Sequence, residues 1–78
     1  MKTIKLNEYN INNGELIVLD NLNVLSGKKI LPSKILDNPS KYLDKKKTYY
    51  FICKNGTTSR RVVQILTIYG YKAIRVIL

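Results

Sequence analysis

Two unbroken apolar runs stand out in the hydrophobic pattern of the chain. Residues 14–20, GELIVLD, and residues 46–53, KKTYYFIC, are short and rich in aliphatic, β-branched and aromatic side chains. Runs of this length with polar or glycine flanks predict buried strands. Because neither run alternates strictly between apolar and polar positions, the pattern favours a parallel sheet that is covered on both faces.

From Thr57 the apolar positions change to helical spacing. Their members are Val62, Val63, Ile65, Leu66 and Tyr69. Thr57 or Thr58 is the predicted N-cap of this helix, and Gly70 is the predicted left-handed residue after its C-terminus. Residues 71–78, YKAIRVIL, then alternate into a third strand. Residues 49–78 therefore predict a strand, a loop, a helix and a strand, joined by a right-handed parallel crossover.

The connection between the first two strands predicts little regular structure. Residues 31–47, LPSKILDNPSKYLDKKK, are expected to hold one short helix with Pro39 in its first turn and Asn38 or Asp37 as its cap. Residues 27–32, GKKILP, are expected to hold a brief strand. Together the elements predict one α/β domain over residues 1–78, with a central parallel sheet flanked by short helices.

Composition removes several classes of chemistry. The 78 residues include 1 Cys and 0 His, which excludes a Ser-His-Asp triad, a Cys-His dyad and a zinc site built from this chain alone. The 5 acidic residues show no paired spacing typical of a metal site or a carboxylate dyad. We therefore expect no metal and no cofactor, and any enzymatic chemistry must use Cys53.

The charge of the chain attracts anions without selecting among them. Its 14 basic and 5 acidic residues give a net charge of +9, which favours partners from small anions to nucleic acids. Most aromatic residues lie in the apolar runs, so a nucleic-acid partner is not expected. The sequence shows no signal peptide and no membrane-spanning run, which predicts a cytoplasmic protein with no membrane contact.

Cys53 occupies a position that suits an anion-binding nucleophile. It is the last residue of a predicted parallel strand, where ligands bind in open sheets, and a helix begins a few residues later. The free N–H groups and partial positive charge of a helix N-terminus favour the thiolate form of a cysteine. Gly56 permits a positive φ, so the loop can turn its N–H groups toward a bound anion. The competing interpretation is that Cys53 is a small buried residue at a strand end.

Residues 53–59, CKNGTTS, resemble the active-site loop of rhodanese-domain sulfurtransferases, whose pattern is roughly Cys-x-x-Gly-x-x-Ser running into a helix. The flanking segments YYFIC and RRVVQILTIYGYKAIRV are similar to the strand before that loop and to the helix and strand after it. LIVLD, ending at Asp20, resembles the first core strand of the family. The resemblance implies a small rhodanese-like three-layer domain.

The chain departs from the family pattern at several positions. Leu22 stands where the family commonly has an arginine, and Thr58 replaces an arginine often found in the loop. The usual GHIPGA-like segment is absent, and the sequence ends at Leu78, before the Gly-Gly and final helix typical of the family. The resemblance therefore implies a minimal version of the domain that lacks the usual C-terminal helix.

The resemblance also implies a function and a set of site residues. It implies a sulfurtransferase that moves sulfane sulfur from a donor such as thiosulfate to a nucleophile through a persulfide on Cys53. Its acceptors would be a small thiol or a protein sulfur acceptor. Asp20 is expected to play a structural role at its strand end. The residues implied to bind the sulfur-containing anion are Lys54, Asn55, Gly56, Thr57, Thr58, Ser59 and Arg60.

Two further hypotheses remain open at the level of sequence. One is a catalytically degenerate rhodanese-like module that docks an acidic partner through its basic surface. The other is a cysteine phosphatase or arsenate-reductase loop, which needs Cys-x5-Arg. Ser59 occupies the position of that arginine, Arg60 follows one residue late, and Ile52 stands where the phosphatase pattern has a histidine.

Overall fold

Five parallel strands in one sheet form the centre of the molecule. The structure, a computed structural model, describes residues 1–20, 22 and 27–78. The strands are β1 (Thr3–Lys5), β2 (Glu15–Val18), β3 (Lys28–Lys29), β4 (Thr48–Ile52) and β5 (Lys72–Ile77). They lie in the order β1-β5-β4-β2-β3, and all of these pairs are parallel. The predicted α/β class and parallel sheet are confirmed.

Three α-helices and two short 3₁₀ turns connect the strands. The helices are α1 (Pro32–Asp37), α2 (Pro39–Tyr42) and α3 (Thr57–Ile68), and the 3₁₀ turns span Leu6–Glu8 and Ile11–Asn13. None of these described helices is both long and apolar enough to cross a bilayer.

The sequence prediction missed β1 and one of the two short helices. β1 is a three-residue edge strand with mostly exposed side chains, so it leaves no apolar run in the sequence. The connection predicted to hold one helix holds two, and each begins with a proline in its first turn. Asn38, with φ of −146°, is both the C-cap residue of α1 and the N-cap residue of α2, and its side chain makes no capping hydrogen bond. A residue before proline is disfavoured in the helical region, which breaks the segment in two.

Alternating side chains of the strands fill a separate core on each face of the sheet. On β4, Tyr49 and Phe51 join the core that α1 and α3 cover, while Tyr50 and Ile52 join the core on the opposite face. No α-helix of the described residues covers this second core. Instead, partly buried residues near the N-terminus and at position 22 pack on it: Ile4, Leu6, Tyr9 and Leu22.

Helix α3 lies against β4 and β5 and ends as the sequence predicts. Gly70 has φ of +94°. Its N–H donates to the carbonyl of Thr67, and the N–H of Tyr71 donates to the carbonyl of Leu66, both at 3.0 Å. This pair of bonds satisfies the last helical carbonyls in the Schellman arrangement. The chain then turns directly into β5, which completes the crossover.

Candidate functional site

Cys53 follows β4 at the carboxyl edge of the sheet, between the ends of β2 and β5. Its side chain is 1% exposed and packs in the core between the sheet and the helices. The next residues, Lys54 and Asn55, are exposed and lead to the first turn of α3. The thiol therefore lies just beneath a surface loop at the edge where open parallel sheets bind ligands.

The sulfur of Cys53 satisfies one of the free N–H groups at the start of α3. Its Sγ accepts the N–H of Ser59, the third residue of the helix, at 3.1 Å. The predicted threonine N-caps are wrong: the N-cap residue is Gly56, which has no side chain to provide a cap. In most helices a Ser, Thr, Asp or Asn oxygen accepts this N–H. Here the sulfur takes the place of that oxygen.

The side chain of Asn55 lies between the thiol and the first helical residue. Its Oδ1 accepts the N–H of Thr57 at 3.1 Å. The same oxygen lies 3.9 Å from Sγ of Cys53, within reach of the thiol proton. Asn55 Oδ1 thus faces both the sulfur and an N–H of the loop.

The carbonyl of Gly56 accepts hydrogen bonds from several donors on the inner side of the loop. Gly56 has φ of +78°, a left-handed conformation that favours glycine. Ser59 Oγ and the N–H of Arg60 each donate to its oxygen at 3.2 Å. Arg75 of β5 donates from Nε at 3.2 Å and from Nη2 at 3.0 Å.

The sequence prediction missed Arg75. It lies 22 positions after Cys53, in a strand that reads as core sheet, and no motif marks it. Only the parallel order of β4 and β5 brings its side chain under the loop. The available signal in the sequence was an arginine in the strand predicted to run parallel to the strand that ends at Cys53.

Asp20 connects the end of β2 to the loop. Its Oδ2 accepts the N–H of Lys54 at 2.9 Å, across 34 positions of sequence. Its other carboxylate oxygen, Oδ1, is buried and has no hydrogen-bond partner within residues 1–20, 22 and 27–78. The bond holds the residue after Cys53 against the neighbouring strand.

The N–H groups of the predicted anion-binding residues fall into two sets. Those of Lys54, Thr57, Ser59 and Arg60 already have protein acceptors. No hydrogen bond within the described part of the chain uses the N–H groups of the other three predicted residues, Asn55, Gly56 and Thr58. These three groups are the backbone donors left for a ligand at the loop.

The two arginines near the start of α3, Arg60 and Arg61, are exposed, and of these two only Arg61 lines a cavity within the described part of the chain. Arg61 lines a surface cavity of about 380 Å³ together with Thr57, Thr58 and residues of α1. Arg60 is exposed and is not part of that lining. The positive charges of both residues lie at the N-terminus of α3, where an anion would compensate them.

Comparisons with known proteins agree with this fold. No protein-family model matches the chain, and no curated protein matches it. Among solved structures, the protein SSP1007 from Staphylococcus saprophyticus is 28% identical with a TM-score of 0.83 over 97% of this chain and 86% of that one. A rhodanese-related protein from Thermoplasma volcanium is 22% identical, with a TM-score of 0.80 over 97% and 83% of the two chains.

A rhodanese homolog from Thermus thermophilus is 13% identical, with a TM-score of 0.74 over 97% of this chain and 93% of that one. This chain folds as a rhodanese-like domain. The resemblance drawn from the loop and its flanking elements is thereby confirmed at the level of the fold. In this rhodanese-like domain the loop of residues 53–59 joins β4 to α3.

Proposed function

We propose that this rhodanese-like domain is a sulfurtransferase in which Cys53 carries sulfane sulfur between a donor and an acceptor. The observation that carries the proposal is the N–H of Ser59 directed at Sγ from 3.1 Å at the start of α3. Donors and a helix N-terminus favour the anionic form of a sulfur, which is its nucleophilic form. The family likeness favours this chemistry over the phosphatase alternative.

In the first half-reaction, the thiolate of Cys53 attacks the outer sulfur of a donor such as thiosulfate. A new S–S bond forms to Cys53 while the bond between the outer sulfur and the sulfite sulfur breaks, and sulfite leaves with that electron pair. Cys53 is then a persulfide anion. The step starts from the thiolate, whose proton passes to water, so it uses no histidine base, which suits a chain without histidine.

In the second half-reaction, a nucleophile attacks the terminal sulfur of the persulfide. The bond to Sγ breaks and its electrons return to Cys53 as the thiolate. A small thiolate or a protein thiolate would leave as a persulfide, and cyanide would leave as thiocyanate. The two half-reactions make a ping-pong cycle with one covalent intermediate.

The proposed binding groups for the anion are the loop residues 54–60. The N–H groups of Asn55, Gly56 and Thr58 are the backbone donors proposed to hold the terminal sulfur, because they have no other acceptor among the described residues. Lys54 and Arg60 are exposed and would contribute through their charges. Asp20 is proposed to be structural, because its contact is with the backbone of Lys54.

Intact-mass measurement after incubation with thiosulfate tests the proposal. We expect one added sulfur atom on the protein, release of sulfite in equal amount, and removal of the added sulfur by cyanide with formation of thiocyanate. Cys53→Ser should take up no sulfur under the same conditions. If the folded wild-type protein takes up no sulfur from thiosulfate or from an organic persulfide, the domain is not a sulfurtransferase.

A further inference from the structure

We propose that Arg75 is a positioning residue for the Cys53 loop and that it acts through the carbonyl of Gly56. Its relevance to sulfur transfer rests on the proposed function, whereas its effect on the loop can be measured without any turnover. The contact that carries the inference is double, from Nε at 3.2 Å and Nη2 at 3.0 Å to the same oxygen.

The backbone of Arg75 is fixed on both sides. It pairs with Phe51 of β4 on one side and with Thr3 of β1 on the other. Its own N–H donates to the carbonyl of Lys2 at 3.0 Å. A side chain that starts from an interior strand holds a site more accurately than one that starts from a loop. The half-buried guanidinium therefore holds the loop at a fixed position relative to the sheet.

The geometry of the peptide bond determines what Arg75 orients. In a trans peptide, the carbonyl and the following N–H point in opposite directions. The carbonyl of Gly56 points to Arg75, so the N–H of Thr57 points away from it, to Asn55 Oδ1. That oxygen lies 3.9 Å from Sγ of Cys53. Arg75 thus fixes the peptide whose N–H donates to Asn55 Oδ1, the oxygen that lies beside the sulfur.

The other donors to the carbonyl of Gly56 show that the observed orientation of this peptide also supports the start of the helix. The hydroxyl of Ser59, which is fully buried, and the N–H of Arg60 bond to the same oxygen. The N–H of Ser59 in turn donates to Sγ. Loss of the guanidinium would therefore loosen the peptide that positions both the first helical turn and its bond to the sulfur.

A positioning role for Arg75 differs from a general contribution to the stability of the fold. A residue that only stabilises the fold would lower the protection of all amides in α3 together, because global unfolding exposes them together. A positioning residue changes the loop and the first helical turn while the rest of the helix keeps its protection. Arginine also offers a planar pair of donors that the single ammonium of lysine does not reproduce.

The test compares Arg75→Met, Arg75→Lys and the control Lys72→Met, which alters an exposed residue of the same strand. Amide hydrogen exchange is followed at Ser59 and Arg60 near the loop, and at Leu66 near the helix end. For Arg75→Met we expect protection at Ser59 and Arg60 to fall on the order of ten- to a hundredfold, the size expected when charged hydrogen bonds are lost. Leu66 should remain as in the wild type, Arg75→Lys should recover part of the protection, and Lys72→Met should change nothing.

A kinetic measurement links the same variants to sulfur transfer. The kcat/KM for thiosulfate should fall on the order of tenfold or more in Arg75→Met, mainly through kcat, and Arg75→Lys should be intermediate. Unchanged protection at Ser59 and Arg60, or an equal loss along the whole helix, would overturn the proposal. A wild-type protein that takes up no sulfur would refute the proposed function, while the exchange data would still decide the role of Arg75.

Discussion

The sulfur of Cys53 and the N–H of Ser59 meet at 3.1 Å, so the residue proposed to react also caps helix α3. The helix begins at Thr57, and its N-cap residue, Gly56, has no side chain to act as a cap. A substitution of Cys53 therefore alters the first turn of the helix. A substitution at the start of the helix likewise alters the surroundings of the sulfur. The same bond supplies structure and would stabilise a negative charge on the sulfur.

The double role of the sulfur predicts different stabilities for two substitutions that both remove the nucleophile. Cys53→Ser keeps an acceptor for the N–H of Ser59, whereas Cys53→Ala leaves this N–H buried without one. We expect Cys53→Ala to lower the free energy of unfolding by about 1–3 kcal/mol more than the loss of atoms alone would. Cys53→Ser should stay closer to the wild type. Urea denaturation of the three proteins measures the difference.

Neither variant should carry sulfur in the mass measurement. Equal stability of the serine and alanine variants would mean that the contact between the sulfur and Ser59 contributes nothing to the fold. A collapse of the circular dichroism in both variants would instead show that Cys53 is chiefly a core residue.

The sequence was sufficient for the elements with long or regular patterns and for the candidate loop. β4, α3 and β5 follow from their apolar spacing, and the loop follows from the order of its small and polar residues around Cys53. The cap of α3 could not be predicted from threonine preference, because a Thr57 cap would bind the N–H groups of Ser59 or Arg60. The sulfur of Cys53 and the carbonyl of Gly56 already accept these two groups. The predicted crossover already makes β5 parallel to β4, but the contact of Arg75 with the loop depends on the register of the two strands, which the sequence does not determine.

Gly56 is predicted to be more sensitive to substitution than Gly70, although both have positive φ. A Cβ at Gly56 would lie 2.6 Å from Nη2 of Arg75, while a Cβ at Gly70 would meet Lys45 Nζ at 3.6 Å, an ordinary contact. Each alanine substitution should cost about 1–2 kcal/mol from the left-handed backbone. Gly56→Ala should cost more, because it also displaces the guanidinium.

Urea denaturation of Gly56→Ala and Gly70→Ala makes this comparison. The double variant with Arg75→Met should recover part of the extra cost of Gly56→Ala, because the displaced group is gone. Equal costs for the two glycines would contradict the close packing of Arg75 beneath the loop.

Tyr9 is predicted to make the protein less stable at alkaline pH. Burial raises the pKa of Tyr9 above its ordinary value of 10.0, and the nearby Tyr50 and Glu15 raise it further. Because the folded state holds the proton more tightly than the unfolded state, this stabilisation is complete below about pH 10 and is lost as the pH rises through the folded pKa. The wild type should therefore lose stability more steeply above pH 10 than Tyr9→Phe does.

At neutral pH the phenylalanine variant should be less stable by about 1 kcal/mol, because it lacks the bond from the Tyr9 hydroxyl to the carbonyl of Gly14 at 2.7 Å. Tyr69→Phe is the matched control, since Tyr69 is 52% exposed. Urea denaturation is measured at neutral pH and above pH 10. Parallel pH curves for wild type and Tyr9→Phe would mean that Tyr9 does not contribute to the alkaline loss.

Asn55 is predicted to restrain the reactivity of Cys53. Its Oδ1 lies 3.9 Å from the sulfur, and Asn55 is exposed whereas Cys53 is 1% exposed. Asn55→Ala would uncover the sulfur, remove the negative end of the amide dipole from it, and free the N–H of Thr57 for an anion. All three effects act in the same direction, so we expect faster alkylation by iodoacetamide and faster uptake of sulfur from thiosulfate.

Asn55→Asp keeps the acceptor and adds a negative charge beside the sulfur, which should slow both reactions. The second-order alkylation rates of the wild type and the two variants at one pH and ionic strength provide the comparison. If Asn55→Ala reacted no faster than the wild type, access to Cys53 would have to be controlled by another part of the loop.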